Sequence, residues 1–422
     1  MDILALNCGS SSVKYQLFDW KEKRLLARGG VERVAVSDSF IVHEVPGRAP
    51  YREAHECRDH RAAIGLVLET LAQESFHGKK KGTIPVDAVG HRVVHGGEHF
   101  TQSMLITPEV LDGIRAVQHL APLHNPHHVS GIEAVQALLP NVPQVAVFDT
   151  AFHQTMPNRA FVYALPYEWY QKYGVRRYGM HGSSHLYVSK RAAVLLGKPV
   201  KNCNMITLHI GNGSSFCAVR NGVSVDTSMG MTPLEGAVMG TRCGDIDPAI
   251  PGFMMEQEGY TSKEMDAILN KKSGVLGVTG RFSDRRDVLV YAERGDEKCQ
   301  LALELESYRI RKYIGAYSSV LGRVDAIVFT AGVGEMGWKI REMAVAELGP
   351  LGIHLDKEKN MAAVKRGVES DISTPDSRVR IFVIPTNEEL VLIEDVMGIL
   401  NGTYKAHTEF DYSFIHTDFK VG

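Results

Sequence analysis

The stretch Asn7-Cys8-Gly9-Ser10-Ser11-Ser12-Val13-Lys14 decides the fold. Apolar residues 3–6 lead into it and the strand-like residues 15–18 lead out, so the pattern predicts a hairpin. Glycine lets a backbone approach a ligand closely, and lysine adds a positive charge. The turn therefore predicts a site for phosphate groups, with an ordinary serine-rich turn as the alternative. The Walker A pattern G-x-x-x-x-G-K-[ST] is absent, and no helix pattern follows the turn.

The same pattern recurs roughly 200 residues later. Residues 205–208 are apolar, and His209-Ile210-Gly211-Asn212-Gly213-Ser214-Ser215 follows before a second apolar run. This recurrence indicates a duplicated fold with one phosphate hairpin in each half. Two such hairpins facing across a cleft would hold the phosphates of a nucleotide from both sides. A chance recurrence of small turn residues is the competing interpretation.

Composition sets the class of protein. A chain of 422 residues exceeds one core of usual size, so we expect two domains. The hydrophobic content of 44% and charged content of 23% are typical of a globular protein, and the net charge of -2 indicates neither a nucleic-acid nor a membrane partner. The six cysteines lack C-x-x-C spacing, which argues against a zinc site or a disulfide framework and favours the cytoplasm. We expect neither a signal peptide nor a membrane span.

Polar residues follow several predicted strands. In the first half, Arg92 and Val94 come just after a predicted buried strand at residues 86–90, and Asp149 follows another at residues 144–148. Ligands of open α/β sheets bind at such carboxyl ends of strands. A carboxylate there suits a magnesium-positioning or acid/base role, while a helix N-cap is the structural alternative. Between these strands, a proline-bounded loop at residues 120–126 predicts a helix that begins near His128.

The second half carries its own polar loops. His181 lies between two arginines and a Gly-Ser-Ser run, and Arg242 lies in the irregular, glycine-rich residues 230–248. Loops of this length inside a domain are usually functional. The glycines of residues 331–335 follow a predicted strand, which by itself is a weak indication of a nucleotide site. A last amphipathic helix at 390–400 precedes a tail that we expect to be loosely held.

Taken together and in order, these stretches resemble the acetate kinase family, of the acetate and sugar kinase, Hsp70 and actin superfamily. The matching residues are 7–14, 90–98, 121–126, 148–157, 178–185, 209–215, 231–248, 330–335 and 385–389. The resemblance implies an α/β fold of duplicated ribonuclease-H-like (actin-like ATPase) domains with an interdomain cleft, and a homodimer. It implies an N-terminal domain at 1–150 with helix 386–400 packing back on it, a nucleotide-binding domain at 151–385, and a tail at 401–422.

The resemblance also implies roles for individual residues. Three are implied as catalytic: Asp149, His181 and Arg242. Six are implied to bind the substrate: Arg92, Val94, Leu123, His124, Met180 and Pro233. Those implied around the nucleotide are Lys14, His209, Ile210, Gly211, Asn212, Gly213, Asp284, Arg285, Arg286, Gly332, Val333, Gly334, Glu335 and Met336. Asn7 and Glu388 are implied to lie at the metal, Mg²⁺ or alternatively Mn²⁺.

The implied reaction is the reversible, magnesium-dependent, in-line transfer of the ATP γ-phosphoryl group to acetate, giving acetyl phosphate and ADP. Phosphoryl transfer depends mainly on positioning and on neutralising negative charge. Arginines suit this because they supply planar, permanently charged donors. By analogy with side-chain carboxyls of pKa about 4, acetate is ionised at neutral pH and needs no general base. We therefore expect Asp149 to orient the magnesium or a water molecule.

Substrate size is expected to depend on a small apolar pocket, to which the resemblance assigns Val94, Leu123, Met180 and Pro233. Valine at position 94 is typical of acetate rather than propionate kinases, whereas Met180 departs from the usual phenylalanine. We expect acetate to be preferred, with propionate still phosphorylated. Met336 and the additional arginines of residues 280–287 also depart from the family pattern, so nucleotide base preference is expected to be looser.

Other interpretations remain open at this point. A kinase for propionate or another short-chain carboxylate is the nearest alternative, and a sugar kinase of the same superfamily is less favoured. A non-kinase, actin-like nucleotide-binding module would leave Arg92 and Arg242 unexplained. A metal site made of His91, His95, His99, His127 and His128 is disfavoured, because their spacing does not place the ligands on one face.

Overall fold

Two units make up the chain, as clustering of its contacts shows. The computed structural model describes residues 1–74, 76–78, 82–122 and 124–419. Unit 1 consists of Met1–Ala151 and Asn387–Tyr412. Unit 2 consists of Phe152–Thr386 and the described residues from Ser413 onward.

Strands and helices are numbered in chain order. The strands are β1 (Asp2–Cys8), β2 (Ser12–Asp19), β3 (Arg24–Glu32), β4 (Phe40–Glu44), β5 (Tyr51–Ala54), β6 (Ala88–Val93), β7 (Met104–Leu105), β8 (Gln144–Phe148), β9 (Asn204–Ile210), β10 (Ser214–Arg220), β11 (Val223–Thr227), β12 (Ala326–Thr330), β13 (Ser370–Asp371) and β14 (Arg380–Val383). The α-helices are α1 (His60–Gln73), α2 (Pro108–Ala116), α3 (Asn125–Leu138), α4 (Asn158–Phe161), α5 (Tyr167–Tyr173), α6 (Gly182–Leu195), α7 (Ala249–Glu258), α8 (Ser262–Lys271), α9 (Gly274–Thr279), α10 (Arg285–Glu293), α11 (Glu297–Leu321), α12 (Ala331–Met336), α13 (Trp338–Val345), α14 (Lys357–Ala362) and α15 (Glu388–Leu400).

Both units contain a sheet with the same central arrangement. In unit 1 the strand order is β5-β4-β3-β2-β1-β6-β8-β7, and in unit 2 it is β11-β10-β9-β12-β14-β13. In each sheet a three-stranded antiparallel meander (β1–β3 or β9–β11) continues from its first strand into two parallel strands (β6 and β8, or β12 and β14). The predicted duplicated α/β fold is therefore confirmed, and the two glycine-containing turns occupy equivalent places in it.

Alternation along β1 explains how the unit 1 sheet is covered on both faces. Leu4 and Leu6 belong to one apolar cluster, with side chains of α1, whereas Ile3 and Ala5 belong to another. Side chains at successive strand positions point to opposite faces, so one apolar run supplies two cores. The second cluster includes Leu392 of α15.

Helix α15 packs closely on this sheet. A Cβ atom added at Gly90 of β6 would lie 2.2 Å from Leu392 Cδ2 and 2.8 Å from Val396 Cγ2. Only glycine leaves room for this contact, because real Cβ atoms do not approach so closely. The helix whose first residue is Glu388 is in this way fixed against the strand that leads to Arg92.

Two expectations about chain segments are wrong. Helix α3 begins at Asn125 rather than near His128, with Pro126 in its first turn, where a missing N–H costs nothing. The described residues 401–419 do not form a loose tail, because Tyr412 and Phe414 are fully buried. In unit 1 the Tyr412 hydroxyl donates to Asp395 (2.7 Å), and in unit 2 Arg191 donates to the Phe414 carbonyl (2.8 Å). None of the described helices is long and apolar enough to cross a bilayer.

Candidate active site

The first hairpin brings Asn7 and Lys14 together. They are register partners across β1 and β2, and cross-strand partners project from the same face of a sheet. The turn between them is closed by the Gly9 N–H, which donates to the Ser12 carbonyl over 2.8 Å. An amide side chain and an ammonium group are thus presented side by side at the end of unit 1 where the hairpin turns.

Arg92 and Asp149 meet across two parallel strands. Arg92 lies near the end of β6 and Asp149 directly follows β8. Arg92 donates from Nε to Oδ1 (2.9 Å) and from Nη2 to Oδ2 (2.7 Å). Because these bonds use Nε and Nη2, the Nη1 group is the part of the guanidinium left to bind a ligand. Sequence reasoning predicted both residues as site residues but did not predict this salt bridge.

Burial and charge oppose each other in this pair. Burial raises the pKa of the Asp149 carboxyl, while the guanidinium of Arg92 acts to lower it. Burial lowers the pKa of Arg92, but Asp149 and Glu388 outweigh this effect and leave it raised. Arg92 therefore remains a cation, and its charge is shared between two acidic groups.

Glu388 is the first residue of α15. The side chain of Asn387 caps this helix by accepting from the Leu390 N–H over 3.0 Å. Glu388 Oε1 lies 3.9 Å from Arg92 Nη2, is buried, and has no hydrogen-bond partner among the described residues. A carboxylate is favoured at a helix N-terminus, but a buried oxygen without a partner costs free energy unless a ligand supplies one. Glu388 is thus suited to bind a cation.

A loop beside Arg92 is joined to the start of α3. The Asn125 side chain accepts from the His95 N–H (3.2 Å) and donates to the His95 carbonyl (2.8 Å). This pairing links the segment containing Val94, which is buried, to His124, the N-cap residue of α3. Leu123 lies outside the described residues. Asn125 is a positioning residue that its sequence neighbourhood alone did not identify.

The second hairpin carries His209 at the end of β9. Its register partner on β10 is Ser215, and the turn is closed by the Gly211 N–H, which donates to the Gly213 carbonyl (3.1 Å). His209 Nδ1 is 2.8 Å from the Ser184 hydroxyl of α6. The hairpin of unit 2 therefore presents the backbone groups of its turn beside the His209 imidazole, which the Ser184 hydroxyl holds in one orientation.

His181 stacks on His209. The two rings lie 4.0 Å apart at an angle of 15°, and His181 Nδ1 is 2.9 Å from the Ser215 hydroxyl. His181 is the N-cap residue of α6 and has a φ of 58°, a left-handed conformation that costs a residue other than glycine free energy. Such strain persists only where the surrounding structure requires it. Here the contacts of the His181 ring with the Ser215 hydroxyl and the His209 imidazole impose it.

A buried chain of polar groups continues from Ser215 into the core of unit 2. The Ser215 hydroxyl is 2.8 Å from His185 Nε2, and His185 Nδ1 is 2.7 Å from the Thr207 hydroxyl. Burial holds the pKa of His185 well below its ordinary value, so its imidazole is neutral. His185 lies inside α6. The chain fixes the orientation of the Ser215 hydroxyl and hence that of His181.

Arg242 is the cation of unit 2 that faces its hairpin. A Cβ atom added at Gly213 would lie 3.2 Å from Arg242 Nη2, so the guanidinium lies directly against the turn. Arg242 Nη1 donates to the Pro233 carbonyl over 2.8 Å. Within the described ranges no carboxylate pairs with Arg242, and burial lowers its pKa without a compensating anion. This charge is available to an anionic ligand.

The loop that carries Arg242 is anchored by α11. Arg309 donates to the Gly236 carbonyl (2.9 Å), and the Tyr313 hydroxyl donates to Asp245 Oδ2 (2.8 Å). Asp245 Oδ1 in turn accepts from the Gly236 N–H over 2.8 Å. The polar residues of α11 thus fix the two ends of the irregular segment.

The nucleotide-side predictions fall on two elements of unit 2. Asp284 caps α10 by accepting from the Arg286 N–H, and Arg286 is exposed. Arg285 is instead buried and pairs with Glu306 over 2.8 Å, so its guanidinium is engaged by the protein. Asn212 is nearby, since a Cβ atom added at Gly240 would lie 2.4 Å from its Oδ1 and 2.9 Å from Arg285 Nη1.

Helix α12 contains Gly332, Val333, Gly334, Glu335 and Met336. It follows β12 directly. An added Cβ atom at Gly332 would meet nothing within 4 Å, so the surface there is open. The fully buried Arg341 donates to the carbonyls of Gly334 (2.8 Å) and Glu335 (2.6 Å) and so fixes the end of this short helix.

Met180 and Pro233 also lie in unit 2. Met180 is buried, and its carbonyl accepts from His153 Nε2 over 3.0 Å. The histidines at positions 91, 95, 99, 127 and 128 do not form a metal-binding cluster in the described part of the chain. The ligand atoms that do lie together there are those of Asp2, Asp19 and His77.

Comparisons with known proteins agree on one family. Residues 2–394 match the model of the acetokinase family. The chain is 66% identical to the acetate kinase of Geobacter sulfurreducens over 99% of both chains. The crystal structure of the acetate kinase of Porphyromonas gingivalis is similar at a TM-score of 0.89 and 46% identity, covering 94% of this chain and 99% of that one. A propionate kinase structure from Francisella tularensis gives a TM-score of 0.87 and 41% identity, covering 94% and 99%.

Proposed function

The chain belongs to the acetokinase family, and from this premise we propose that it transfers the γ-phosphoryl group of ATP reversibly to acetate, giving acetyl phosphate and ADP. The expected acetate kinase activity is supported by the identity of 66% to a curated acetate kinase over nearly the whole chain. A non-kinase nucleotide-binding module is disfavoured by the same similarity.

The single observation in the structure that carries the proposal is the uncompensated guanidinium of Arg242 against Gly213. A cation without an acidic partner, placed on a glycine turn, suits the equatorial oxygens of a phosphoryl group. His181, fixed by Ser215 and His209, adds an N–H donor in the same unit. Both groups strengthen their interactions as charge spreads over the phosphoryl oxygens in the transition state.

The transfer itself is a direct displacement. A carboxylate oxygen of acetate forms a bond to the γ-phosphorus while the bond from that phosphorus to the bridging oxygen of ADP breaks, and the electron pair leaves with ADP. No proton moves, because acetate is already ionised. We assign Arg92 Nη1 to hold the acetate carboxylate and Asp149 to fix the guanidinium, which restricts Arg92 to one orientation. This positioning accounts for much of the expected rate enhancement.

Magnesium is part of the proposal. A bound Mg²⁺ would neutralise charge on the β- and γ-phosphates of ATP, and we propose that Asn7 and Glu388 hold it, with Mn²⁺ as a substitute. Magnesium binds oxygen ligands and retains several waters, so one carboxylate and one amide are a suitable set. The buried and unpartnered Glu388 Oε1 fits this role.

The nucleotide is proposed to contact both hairpins. Lys14 in unit 1 and His209, Ile210, Gly211, Asn212 and Gly213 in unit 2 are assigned to the phosphates. We assign Asp284, Arg286 and residues 332–336 to the adenosine, with open surface at Gly332 in support. Arg285 is assigned an indirect role, since Glu306 holds its guanidinium.

Acetate is proposed as the preferred carboxylate, with Val94, His124, Met180, Pro233 and Leu123 as the substrate-binding residues. Propionate is the second candidate, because a structure described as a propionate kinase is 41% identical to this chain. One methylene in an apolar pocket changes binding by about 1–3 kcal/mol, so propionate should be phosphorylated less efficiently rather than excluded.

A homodimer and a cytoplasmic location complete the proposal. The short helix α5 has no buried residue and exposes Tyr167, Trp169 and Tyr173, an arrangement that favours an interface. We propose that a second copy covers this aromatic surface, which size-exclusion chromatography with light scattering would test. The cysteines are free thiols, consistent with a reducing compartment.

A coupled assay tests the proposed reaction. ADP release would be followed with ATP, Mg²⁺ and acetate, propionate or butyrate, and acetyl phosphate would be trapped with hydroxylamine. We expect acyl phosphate formation that depends on the carboxylate and is greatest with acetate. ATP hydrolysis that no carboxylate changes, without acyl phosphate, would contradict the proposal.

A further inference from the structure

The end of the first hairpin opposite its turn carries two buried carboxylates. Asp2 begins β1 and Asp19 ends β2, and the two are register partners. Each is 2% exposed. Two carboxylates side by side in a protein interior repel each other, so a positive partner is required for both to remain ionised.

His77 lies over this pair. Its Nε2 is 3.1 Å from Asp2 Oδ1 and 3.6 Å from Asp19 Oδ2. The three ligand atoms lie within 4.8 Å of one another. Ligand atoms bound about 2.1 Å from a tetrahedral zinc ion are separated by about 3.4 Å, which the two histidine–carboxylate distances bracket.

One carboxylate oxygen of Asp19, Oδ2, is available to this cluster. Its Oδ1 accepts from the N–H groups of Lys21 (2.9 Å) and Glu22 (3.3 Å), which fixes the carboxylate plane. Its Oδ2 is buried and has no hydrogen-bond partner among the described residues, and it is directed at the imidazole. Such an oxygen costs free energy unless a cation or a donor meets it.

We propose that Asp2, Asp19 and His77 bind a divalent cation of the zinc class, separate from the magnesium of phosphoryl transfer. An imidazole with two carboxylates suits Zn²⁺ and related transition metals, and a water molecule completes the fourth position. The site lies about 17 Å from Asn7, five residues along β1 at about 3.3 Å per residue. Bound there, the metal ties the segment containing His77 to the hairpin.

Among the described residues, the α-ammonium of Met1 is a cation that competes for this region. It lies 3.9 Å from Asp87 Oδ2, and the same oxygen accepts from the Asp2 N–H over 2.7 Å. The ammonium charge is therefore shared with a third carboxylate, that of Asp87. The alternative is that His77 contacts the two carboxylates directly, without a metal.

The test uses the full chain after chelator treatment, without nucleotide or Mg²⁺. Binding of Zn²⁺ alone would be measured by titration calorimetry, and Co²⁺ would be added to look for the visible absorption of tetrahedral coordination. We compare the unchanged chain with His77→Gln, with Asp19→Asn, and with the exposed control His55→Gln. Loss of one ligand should weaken binding by about tenfold or more, since even outer-shell changes cost 10–100-fold.

The expected result is one saturable site in the unchanged chain and in His55→Gln. In both ligand variants, His77→Gln and Asp19→Asn, binding should be weaker and the tetrahedral Co²⁺ absorption should be absent. Equal Zn²⁺ affinity in the unchanged chain and His77→Gln would overturn the proposal, as would the lack of any saturable site in the unchanged chain. If Asp19→Asn fails to fold, His77→Gln, whose imidazole is partly exposed, still decides the question. Phosphotransfer in His77→Gln should stay within about twofold of the unchanged chain, because the change is far from Arg92 and its partners.

Discussion

Arg92 and Asp149 form a two-point salt bridge, Nε to Oδ1 at 2.9 Å and Nη2 to Oδ2 at 2.7 Å, between a residue near the end of β6 and the residue directly after the neighbouring parallel strand β8. This geometry fixes the guanidinium plane of Arg92. A fixed guanidinium binds a carboxylate or phosphoryl group without a further loss of side-chain freedom.

Asp149→Asn should lower kcat/KM for acetate by about 10²-fold or more, the size of effect produced when a preorganised donor is lost. An amide can accept only one of the two N–H bonds, so Arg92 is left partly unpaired. Steady-state kinetics at several Mg²⁺ concentrations would measure the loss. The matched control is Glu133→Gln, which breaks an exposed carboxylate–arginine pair with Arg115 and should leave activity unchanged. Near-normal turnover in Asp149→Asn would rule out the assigned role.

Arg242→Lys should fail to restore the activity lost in Arg242→Ala. The alanine variant removes the positive charge and the lysine variant keeps it, but lysine cannot supply a planar, two-point donor. We expect kcat to fall by about 10²–10³-fold in the alanine variant and to stay well below normal in the lysine variant. The exposed Arg294→Ala serves as the control for loss of a cation in unit 2. A lysine variant of normal kcat would show that charge alone suffices.

Gly213→Ala should displace Arg242. The new Cβ would lie 3.2 Å from Nη2 and 3.3 Å from Nη1, closer than ordinary van der Waals contact, so the guanidinium has to move. The required shift is a few tenths of an ångström. Since a misplacement of about 1 Å can cost 10²-fold in rate, kcat should fall by about several-fold while the thermal midpoint changes little. Gly315→Ala is the matched control, since an added Cβ atom there meets nothing within 4 Å. A strong fall in the thermal midpoint of Gly213→Ala would instead indicate a structural role.

Val94→Ala should shift selectivity towards propionate. Val94 is buried, and the space of two methyl groups would admit the longer acid. We expect the ratio of kcat/KM for propionate over acetate to rise by about tenfold or more, because one methylene in an apolar pocket is worth about 1–3 kcal/mol. The exposed Val36→Ala controls for a general effect of the substitution. An unchanged ratio would remove Val94 from the substrate-binding set.

His91 predicts how stability depends on pH. Burial lowers its pKa to about 4, although a hydrogen bond with Gln144 (2.8 Å) acts in the opposite direction. The folded pKa lies below the unfolded value of about 6.5, so the unfolded chain takes up the proton first as pH falls. The contribution of this group to the free energy of unfolding is fully present above pH about 6.5. It falls by about 3 kcal/mol as the pH is lowered from about 6.5 to about 4.

Urea unfolding at several pH values would measure this effect. His91→Gln should lower stability at neutral pH but show a weaker fall between pH 6.5 and 4 than the unchanged chain. The exposed His119→Gln should behave as the unchanged chain does. Identical pH dependence in His91→Gln and the unchanged chain would contradict the prediction.

Short-range patterns predicted the fold well. Each hairpin is encoded within about a dozen residues by strand alternation and a glycine-containing turn, and both turns have the predicted form. The start of α3 was predicted too late because Pro126 was read as a loop residue, although proline is compatible with a first helical turn.

Contacts between distant residues could not be read from the sequence. Arg92 and Asp149 were each predicted from a strand end, but which groups they would meet depends on strand order. His185 and Arg309 were not assigned roles, because their partners Ser215 and Gly236 are 30 and 73 residues away. A histidine or arginine in a helix pattern gives no indication of whether it faces the core, solvent or a site.

The most direct test of the account is acyl phosphate formation by the unchanged chain and by Arg242→Ala, measured with ATP, Mg²⁺ and either acetate or propionate. The account predicts acetyl phosphate as the main product of the unchanged chain, a lower rate with propionate, and a loss of about 10²-fold or more in the variant. A rate with propionate equal to or above that with acetate would contradict the proposed substrate. Undiminished transfer in Arg242→Ala would contradict the proposed role of its uncompensated charge.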